Sequence, residues 1–125
     1  MSEKILVIDD SGLARRNLRQ ILERDGYDVT EAADGMAALE RYFSDRPDLV
    51  LLDLVMTGMY GLDVLAKLRE LDPEARVVVV SADIQTPTQD LARARGASAF
   101  LNKPVDEQQL RTVVAAVLNG DRPWN

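Results

Sequence analysis

The residues of this sequence that could do chemistry are polar side chains at or just beyond the ends of short apolar runs. The runs cover residues 4–8, 49–52, 77–80 and 99–101, and the polar residues after them are Asp9, Asp10, Asp53, Ser81 and Lys103. Short runs rich in Val, Ile and Leu are typical of strands in a parallel sheet that is buried on both faces. Because ligands bind outside the carboxyl ends of such strands, these side chains should meet at one edge of the fold. Three carboxylates, a hydroxyl and an ammonium group there indicate a site for a metal ion and a phosphoryl group.

The composition restricts the chemistry that the chain can perform. Its 125 residues suffice for one domain, and a net charge of −6 argues against a nucleic-acid-binding surface or an anionic membrane surface. The sequence contains neither Cys nor His, which excludes disulfides, thiol chemistry, a phosphohistidine on this chain and the commonest zinc ligand. Residues 1–4 lead directly into a strand without signal-peptide features, and no apolar stretch is long enough to span a membrane, so we expect a cytoplasmic protein.

The apolar periodicity predicts five strand–helix units, which places the chain in the α/β class. The predicted strands are residues 4–8, 28–31, 49–52, 76–80 and 99–101, and the first helix is Gly12–Arg24. Successive parallel strands need right-handed crossovers, and so apolar a sheet needs helices on both faces. We therefore expect a doubly wound (βα)5 three-layer sandwich, with a parallel five-stranded sheet in the flavodoxin-like order 2-1-3-4-5, a known pattern that we apply here. That order places the acids after strands 1 and 3 side by side at its switch point.

Capping residues and apolar spacing refine the helices. The side chains that could cap helices 2, 4 and 5 are Asp34, Thr86 and Asp106. Apolar residues that share one face of helix 2 are Met36, Leu39 and Phe43. Helix 4 has few large apolar residues beyond Leu91, so its packing should be weak enough for the helix to shift.

The three acids have a structural interpretation as well as a functional one. Asp9 or Asp10 alone is best explained as the N-cap of the following helix, and Asp53 alone could simply end a strand. Together they favour a bound cation, because unit charges about 4 Å apart repel by roughly 4 kcal/mol at an effective dielectric constant near 20. Mg²⁺ fits a site made of carboxylates, waters and a phosphate, and the backbone carbonyl of Val55 could supply another ligand.

Three further residues also admit two interpretations each. Alone, Lys103 is a solvated lysine near a turn, Ser81 is a strand-end hydroxyl and Phe100 is a half-buried core aromatic. Beside the acids, an ammonium group can pair with a phosphate and a hydroxyl can donate to a phosphoryl oxygen. A nucleophile of the Ser–His kind is excluded, since the sequence has no His.

Taken in order and spacing, these motifs resemble a response-regulator receiver domain of the CheY-like family over nearly the whole chain. The matching residues are Ile8, Asp9, Asp10 and Ser11, then Asp53, Leu54, Val55 and Met56 with Gly58 and Gly61, then Ser81 and Ala82, and then Lys103 and Pro104. Each motif alone is weak, but the complete set is very specific.

The resemblance implies a phosphoacceptor and a metal site. Asp53 is expected to accept a phosphoryl group from a phosphohistidine on a sensor histidine kinase or a histidine phosphotransfer protein. Lys103 is expected to pair with Asp53 and then with its phosphate. Asp10 and Asp53 are expected to bind Mg²⁺ directly, Asp9 to help through water, and the Val55 carbonyl to be the backbone ligand.

The resemblance also implies a switch. Ser81 is expected to close onto the phosphate, and Phe100 takes the place of the rotating switch aromatic. The Lys103–Pro104 peptide is expected to be cis. Phosphorylation would then change the surface of helix 4, strand 5 and helix 5, through which the protein would control an unidentified output protein. We expect residues 1–125 to be a receiver domain with no output domain. The chain would be a phosphoacceptor that assists its own phosphotransfer and dephosphorylation rather than an enzyme.

The sequence departs from the family pattern at a few positions. Thr57 stands where the family usually has proline, so the loop after Asp53 should be more mobile. Tyr60 stands where an acid is common, and Phe100 lacks a hydroxyl, so no side-chain hydrogen bond can fix its outward state.

Three other functions are compatible with parts of the pattern. A flavin-binding module needs a phosphate-cradling loop after strand 1, where Asp9 and Asp10 would repel a phosphate. Many phosphatases with an aspartyl nucleophile have a second acid two residues later, where this chain has Val55. A degenerate receiver would act as a phosphorylation-independent interaction module, but here the acceptor, metal and lysine positions are all filled.

Overall fold

Five strands alternate with five helices in the computed structural model, which describes residues 2–56 and 60–124. The elements in chain order are β1 Lys4–Ile8, α1 Gly12–Arg24, β2 Asp28–Ala32, α2 Gly35–Asp45, β3 Leu49–Asp53, α3 Gly61–Leu71, β4 Val77–Ser81, α4 Thr86–Ala94, β5 Ala99–Asn102 and α5 Glu107–Leu118. Among the described residues, no helix is long and apolar enough to cross a membrane. The predicted α/β class is confirmed.

The sheet positions the polar residues at one edge. All its strands pair in parallel in the order β2-β1-β3-β4-β5, which confirms the predicted flavodoxin-like arrangement. Strands β3 and β4 are buried at every position, as expected for a sheet covered on both faces. The register pairs Ile8 with Leu52 and Asp53 with Val80, so that β1, β3 and β4 end nearly level.

Two apolar layers hold the sheet, because successive side chains of a strand point to opposite faces. On β1, Leu6 and Ile8 join the layer under α2, α3 and α4, whereas Ile5 and Val7 join the layer under α1 and α5. These four side chains are at most 1% exposed. Burying an aliphatic side chain of this size contributes about 1.5–3 kcal/mol, so the strands that carry the polar residues are firmly anchored.

Four strands continue one residue beyond their predicted ends. The additional residues are Ala32, Asp53, Ser81 and Asn102, and β4 begins at Val77 rather than at residue 76. A parallel ladder is made by backbone groups, so it continues past the point where the side chains become polar. Asp53 and Ser81 are therefore held by the sheet itself rather than by the loops that follow it.

Two of the three predicted helix caps are confirmed. Asp34 and Asp106 each accept a hydrogen bond from a backbone N–H in the first turn of α2 and α5. The prediction for Thr86 was wrong, because α4 begins at Thr86 and Gln85 is its N-cap residue, without a side-chain bond. Pro87 tolerates this earlier start, since N–H groups of the first turn have no intrahelical partner.

The acids after β1 do not cap α1. Ser11 is the N-cap residue, and its hydroxyl accepts a hydrogen bond of 3.2 Å from the N–H of Ala14. The interpretation of Asp9 or Asp10 as a simple helix cap is therefore wrong.

Helix α2 packs on the core through only part of the predicted apolar face. Its buried side chains include Ala38 and Tyr42. The flanking Leu39 and Phe43 pack against the same core but are only partly buried. Met36, on the predicted face, is 68% exposed. The small Ala38 and the large Tyr42 therefore form the centre of the buried face of α2.

Helix α4 is the most weakly packed of the elements beside the site. Of its residues, all of which the structure describes, Ala92 alone is buried, and Leu91 is 46% exposed. A helix with one small buried side chain gains little from packing, as its sequence indicated.

Candidate functional site

The carboxylates of three aspartates meet at the carboxyl edge of the sheet. Asp9 follows β1 directly and Asp53 is the last residue of β3, so the pairing of these two strands brings both acids together. One carboxylate oxygen from each of Asp9, Asp10 and Asp53 lies within 4.8 Å of the others. Asp9 and Asp53 are buried, whereas Asp10 is exposed at the mouth of the site.

The Asp9 side chain is fixed by short hydrogen bonds. Its Oδ1 accepts from the N–H of Ser11 at 2.9 Å, and its Oδ2 accepts from Lys103 Nζ at 2.8 Å. Arg15 Nη1 donates to the Asp9 carbonyl at 2.6 Å, a contact that the sequence interpretation missed. The signal for Arg15 was weak, because a basic residue in the first turn of an amphipathic helix is ordinary. Asp9 is therefore a rigid and well-compensated carboxylate.

Lys103 pairs with Asp53, as expected, but its ammonium group lies closer to Asp9. Its Nζ lies 3.5 Å from Asp53 Oδ2, beyond the 2.8 Å hydrogen bond to Asp9. Burial alone would lower the pKa of Lys103, but the hydrogen bond that Lys103 donates to Asp9 and the charge of Asp53 raise it. The Lys103–Pro104 peptide bond is cis, and the N–H of Lys103 donates to the Ser81 carbonyl at 2.9 Å.

The Asp53 carboxylate is less well compensated than that of Asp9. The contacts that the described residues make with it are long: 3.4 Å from the N–H of Val55 and 3.5 Å from Lys103 Nζ. Burial raises the pKa of Asp53, the charge of Asp9 raises it further, and Lys103 offsets only part of this increase. A buried carboxylate in this condition favours a nearby cation and keeps an oxygen available for reaction.

The donor set fits Mg²⁺. Hard oxygen ligands from a few carboxylates, completed by water and a phosphate, are what this ion prefers. Among these side chains, three carboxylates face the single ammonium group of Lys103, so the ionised cluster keeps a net negative charge. Val55, which is 64% exposed, follows Asp53 closely enough for its backbone to border the same site. Asp9, Asp10, Asp53 and the Val55 carbonyl are thus suitable to hold the ion.

Ser81 belongs to a hydrogen-bonded loop that links the site to α4. The residue is fully buried, and its Oγ accepts from the N–H of Asp83 at 3.0 Å. The carboxylate of Asp83 in turn accepts from the N–H of Gln85 at 3.1 Å and from the Thr88 hydroxyl at 2.8 Å. A displacement of Ser81 would therefore be transmitted to the first turn of α4.

Phe100 lies on β5, separated from the strand of Asp53 by β4, and is partly buried. Its ring is 6.3 Å from that of Trp124, at an interplanar angle of 47°. The sequence interpretation overlooked Trp124, although the flanking Gly120 and Pro123 mark a turn after α5.

Gly61 lets α3 begin directly against the end of β3. A Cβ at this position would lie 2.4 Å from Leu54 Cα and 2.5 Å from the Asp53 carbonyl oxygen. Tyr60, the preceding residue, is 68% exposed. The predictions on Thr57 and Gly58 concern residues outside the described ranges.

Comparison with known proteins gives consistent results. The family model described as response regulator receiver domain matches residues 5–115. Sporulation initiation phosphotransferase F of Bacillus subtilis is 34% identical over 118 residues, which are 94% of this chain and 95% of that protein. A CheY-like response regulator receiver domain protein from Methanospirillum hungatei superposes with a TM-score of 0.92 at 27% identity, over 96% of each chain. A CheX–CheY–BeF3–Mg²⁺ complex from Borrelia burgdorferi contains a chain that matches with a TM-score of 0.89 at 31% identity, over 92% of this chain and 88% of that one.

Proposed function

The chain belongs to the response regulator receiver domain family of two-component signalling, and from this premise we propose that it acts in the cytoplasm as a response regulator. It accepts a phosphoryl group on Asp53 from the phosphohistidine of a sensor histidine kinase or a histidine phosphotransfer protein. The phosphorylated form then controls an output protein through the surface of α4, β5 and α5. In this role the chain is a phosphoacceptor that assists its own phosphotransfer and dephosphorylation.

The observation that carries this proposal is the environment of Asp53. Its carboxylate is buried, incompletely compensated and next to a lysine that remains 3.5 Å away. An Asp53 oxygen attacks the phosphorus, and as the new O–P bond forms, the N–P bond to the partner histidine breaks. The electron pair of that bond stays on the histidine nitrogen, which then takes up a proton. Phosphoryl transfer needs positioning and charge neutralisation more than covalent machinery, and this site provides both.

Charge neutralisation falls to Lys103 and a divalent ion. Lys103 already stands between Asp9 and Asp53, so a small side-chain rotation brings it to a phosphate on Asp53. Mg²⁺ bound by Asp10, Asp53 and the Val55 carbonyl, with Asp9 acting through water, would supply further positive charge to the phosphoryl oxygens. The Borrelia burgdorferi relative, whose complex includes BeF3 and Mg²⁺, supports this assignment.

The switch follows from the groups around the phosphate. A phosphoryl group adds negative charge and acceptor oxygens beside Lys103 and Ser81. The Ser81 hydroxyl, which now accepts from Asp83, would turn to donate to a phosphoryl oxygen. Because Asp83 also bonds the first turn of α4, the loop and the weakly packed helix move with it. Phe100 then changes its position on β5.

The phosphodonor has a suitable docking surface beside the acids. An apolar groove of about 270 Å³ runs between α1 and the segment after β5, lined by residues that include Leu18, Ile21 and Val105. Lys103 lines the end of this groove nearest the site. Leu13, at the start of α1, is 67% exposed. An apolar helix face that carries a phosphohistidine could bind here with its phosphate directed at Asp53.

Phosphorylation of an Asp53→Asn variant tests the proposal. An amide cannot act as the nucleophile, so incubation with acetyl phosphate and Mg²⁺ should add a phosphate-sized mass to the wild type and none to the variant. Asp28→Asn, a substitution on the exposed face of edge strand β2, is the matched control and should be modified like the wild type. An equal mass gain in Asp53→Asn and in the wild type would exclude Asp53 as the acceptor.

A further inference from the structure

The segment that follows α5, residues 119–124, turns back across the edge strand β5. The turn starts at Gly120, whose φ of +96° is accessible mainly to glycine. The N–H of Gly120 donates to the Val117 carbonyl at 3.0 Å, and that of Asp121 donates to the Ala116 carbonyl at 3.0 Å. This pair of bonds is a Schellman motif, which ends α5 and sets the direction of the chain after it.

The segment is fastened to the beginning of β5 by one backbone carbonyl. Trp124 Nε1 and Arg122 Nη2 both donate to the carbonyl of Ala97, each at 2.9 Å. The N–H of Trp124 also donates to the Arg122 carbonyl at 2.8 Å, around Pro123. Ala97 is fully buried, so its carbonyl needs partners, and the segment provides two of them.

The indole of Trp124 covers the proposed switch. It packs on the apolar layer beneath α2, α3 and α4, whereas α5, from which the segment comes, packs on the opposite layer. The centroid of the Phe100 ring lies 6.3 Å from that of Trp124. The guanidinium carbon of Arg93, a residue of α4, lies 5.4 Å from the Trp124 ring centroid. Trp124 thus joins α4 to β5 at the place where α4 has little buried surface of its own.

We propose that residues 119–124 form a strap that holds Phe100 and α4 in their unphosphorylated arrangement, and that phosphorylation of Asp53 loosens the contacts of Trp124. This inference rests on the proposed function. The contacts of Trp124 occur together with a Ser81 hydroxyl that is held by the N–H of Asp83. A movement of Phe100 must change the ring pair, and a movement of α4 must change the cation–π pair. A contact made only in the resting state opposes the transition by its own free energy. The strap therefore sets the proportion of protein that is active at a given level of phosphorylation.

Tryptophan fluorescence reports directly on the surroundings of Trp124 in the strap, because Trp124 is the only tryptophan in the sequence. Beryllofluoride with Mg²⁺, used as a phosphate mimic, should shift the emission of the wild type and increase its quenching by iodide. Asp53→Asn should show neither change. The extent of acetyl phosphate modification, measured as mass, is recorded on the same samples.

Variants of the strap test its energetic role. Trp124→Ala should bind beryllofluoride roughly threefold to tenfold more tightly than the wild type, because the resting state loses an aromatic pair and a cation–π pair. Arg93→Gln removes only the cation–π pair and should show a smaller increase, whereas Trp124→Phe should stay closer to the wild type. Arg41→Gln, which changes an exposed arginine of α2, should leave the affinity unchanged. Titration followed by backbone NMR gives the affinity without a tryptophan signal.

The possible outcomes separate the two proposals. If the wild type gains the phosphate mass but Trp124→Ala and Arg93→Gln bind beryllofluoride no more tightly than the wild type, the strap proposal is wrong. The proposal that Asp53 is the phosphoacceptor is then unaffected. Unchanged wild-type fluorescence at saturating mimic leads to the same conclusion. If the wild type gains no mass on Asp53, both proposals fail. A purely structural role for Trp124 would lower thermal stability without changing the affinity, so melting curves of each variant complete the test.

Discussion

Lys103 Nζ is hydrogen-bonded to Asp9 Oδ2 at 2.8 Å and lies 3.5 Å from Asp53 Oδ2. The ammonium group therefore compensates the acid that is not the proposed phosphoacceptor more fully than the one that is. This asymmetry explains why burial and the charge of Asp9 together raise the pKa of Asp53 in spite of the lysine. Asp9 is thus the main partner of the Lys103 ammonium group, and a phosphate on Asp53 would compete with Asp9 for that group.

Removal of Lys103 should destabilise the fold in a pH-dependent way. Lys103→Met leaves two buried carboxylates facing each other, and in a chelator at neutral pH we expect a loss of about 2–3 kcal/mol in the free energy of unfolding. An acid with a raised folded-state pKa binds more protons in the folded than in the unfolded state. Stability therefore falls as pH rises through that window, and the deficit of the variant should grow from about pH 4 upward. Urea unfolding at several pH values measures it. Lys67→Met, on exposed α3 surface, is the control, and a pH-independent deficit would contradict the argument.

Mg²⁺ should stabilise the protein, because it binds the folded acids and has no site in the unfolded chain. At ten times its dissociation constant the gain is about 1.4 kcal/mol, which corresponds to roughly 5 °C in melting temperature. Thermal melts with chelator or millimolar Mg²⁺ measure the shift. Asp10→Asn removes an exposed ligand and should lose the shift, whereas Glu70→Gln, an exposed acid on α3, should keep it. Equal shifts in both variants would mean that the ion acts elsewhere.

The fold was predictable because each strand has its own apolar run and each helix its own periodicity. The convergence of Asp9, Asp10 and Asp53 followed from strand order alone. What could not be predicted depends on tertiary contacts. The preference of Lys103 for Asp9 depends on a difference of less than an ångström between its distances to two acids that are far from it in sequence. Trp124 belongs to no periodic pattern, so Gly120 and Pro123 indicated a turn before it but not its packing beside Phe100. The start of α4 was predicted one residue late, because Thr is a preferred N-cap residue whereas Gln85, which takes that place, makes no side-chain cap bond.

Glu31 should contribute stability that depends on pH in the opposite sense. Burial alone would raise the pKa of Glu31, but hydrogen bonds from Arg19 and Arg15 lower it below the ordinary value of 4.5. A lowered folded-state pKa gives stability that is present above the unfolded value and is lost as pH falls through the folded one. Glu31→Gln should therefore cost about 1 kcal/mol at neutral pH, after allowance for partial exposure, and much less near pH 3. Chemical unfolding at both pH values checks this prediction. The control Glu70→Gln should change the free energy of unfolding little at either pH.

The contact between Gly61 and the end of β3 should tolerate no side chain. In Gly61→Ala the new Cβ would clash with backbone atoms of Asp53 and Leu54 at about 2.4–2.5 Å, so that α3 must move. We expect a loss of about 3 kcal/mol or more in the free energy of unfolding, together with a smaller Mg²⁺ shift, because Asp53 is displaced. Gly12→Ala is the matched control, since its Cβ would meet only the end of Arg15 at 3.6 Å. A stability of Gly61→Ala within 1 kcal/mol of wild type would contradict the close approach.

Ser81→Ala should separate phosphorylation from switching. Asp53, the other acids and Lys103 remain in this variant, so the phosphate-sized mass gain with acetyl phosphate should persist. The variant lacks the hydroxyl that would bond the phosphate and that now accepts from Asp83 at 3.0 Å. A net hydrogen bond to a charged group is worth roughly 1.5–3 kcal/mol, which is enough to reverse a balanced two-state equilibrium.

Backbone NMR with beryllofluoride makes that separation measurable. At equal occupancy of the mimic, the wild type should show large shift changes in residues 83–95 and around Phe100, and Ser81→Ala much smaller ones. Ser98→Ala removes another buried serine hydroxyl, just before β5, away from the acids, and should respond like the wild type. Equal changes in Ser81→Ala and the wild type would mean that the Ser81 hydroxyl only closes the turn to Asp83. In that case Lys103, whose backbone N–H is bonded to the Ser81 carbonyl, would be the remaining connection between the phosphate and β4.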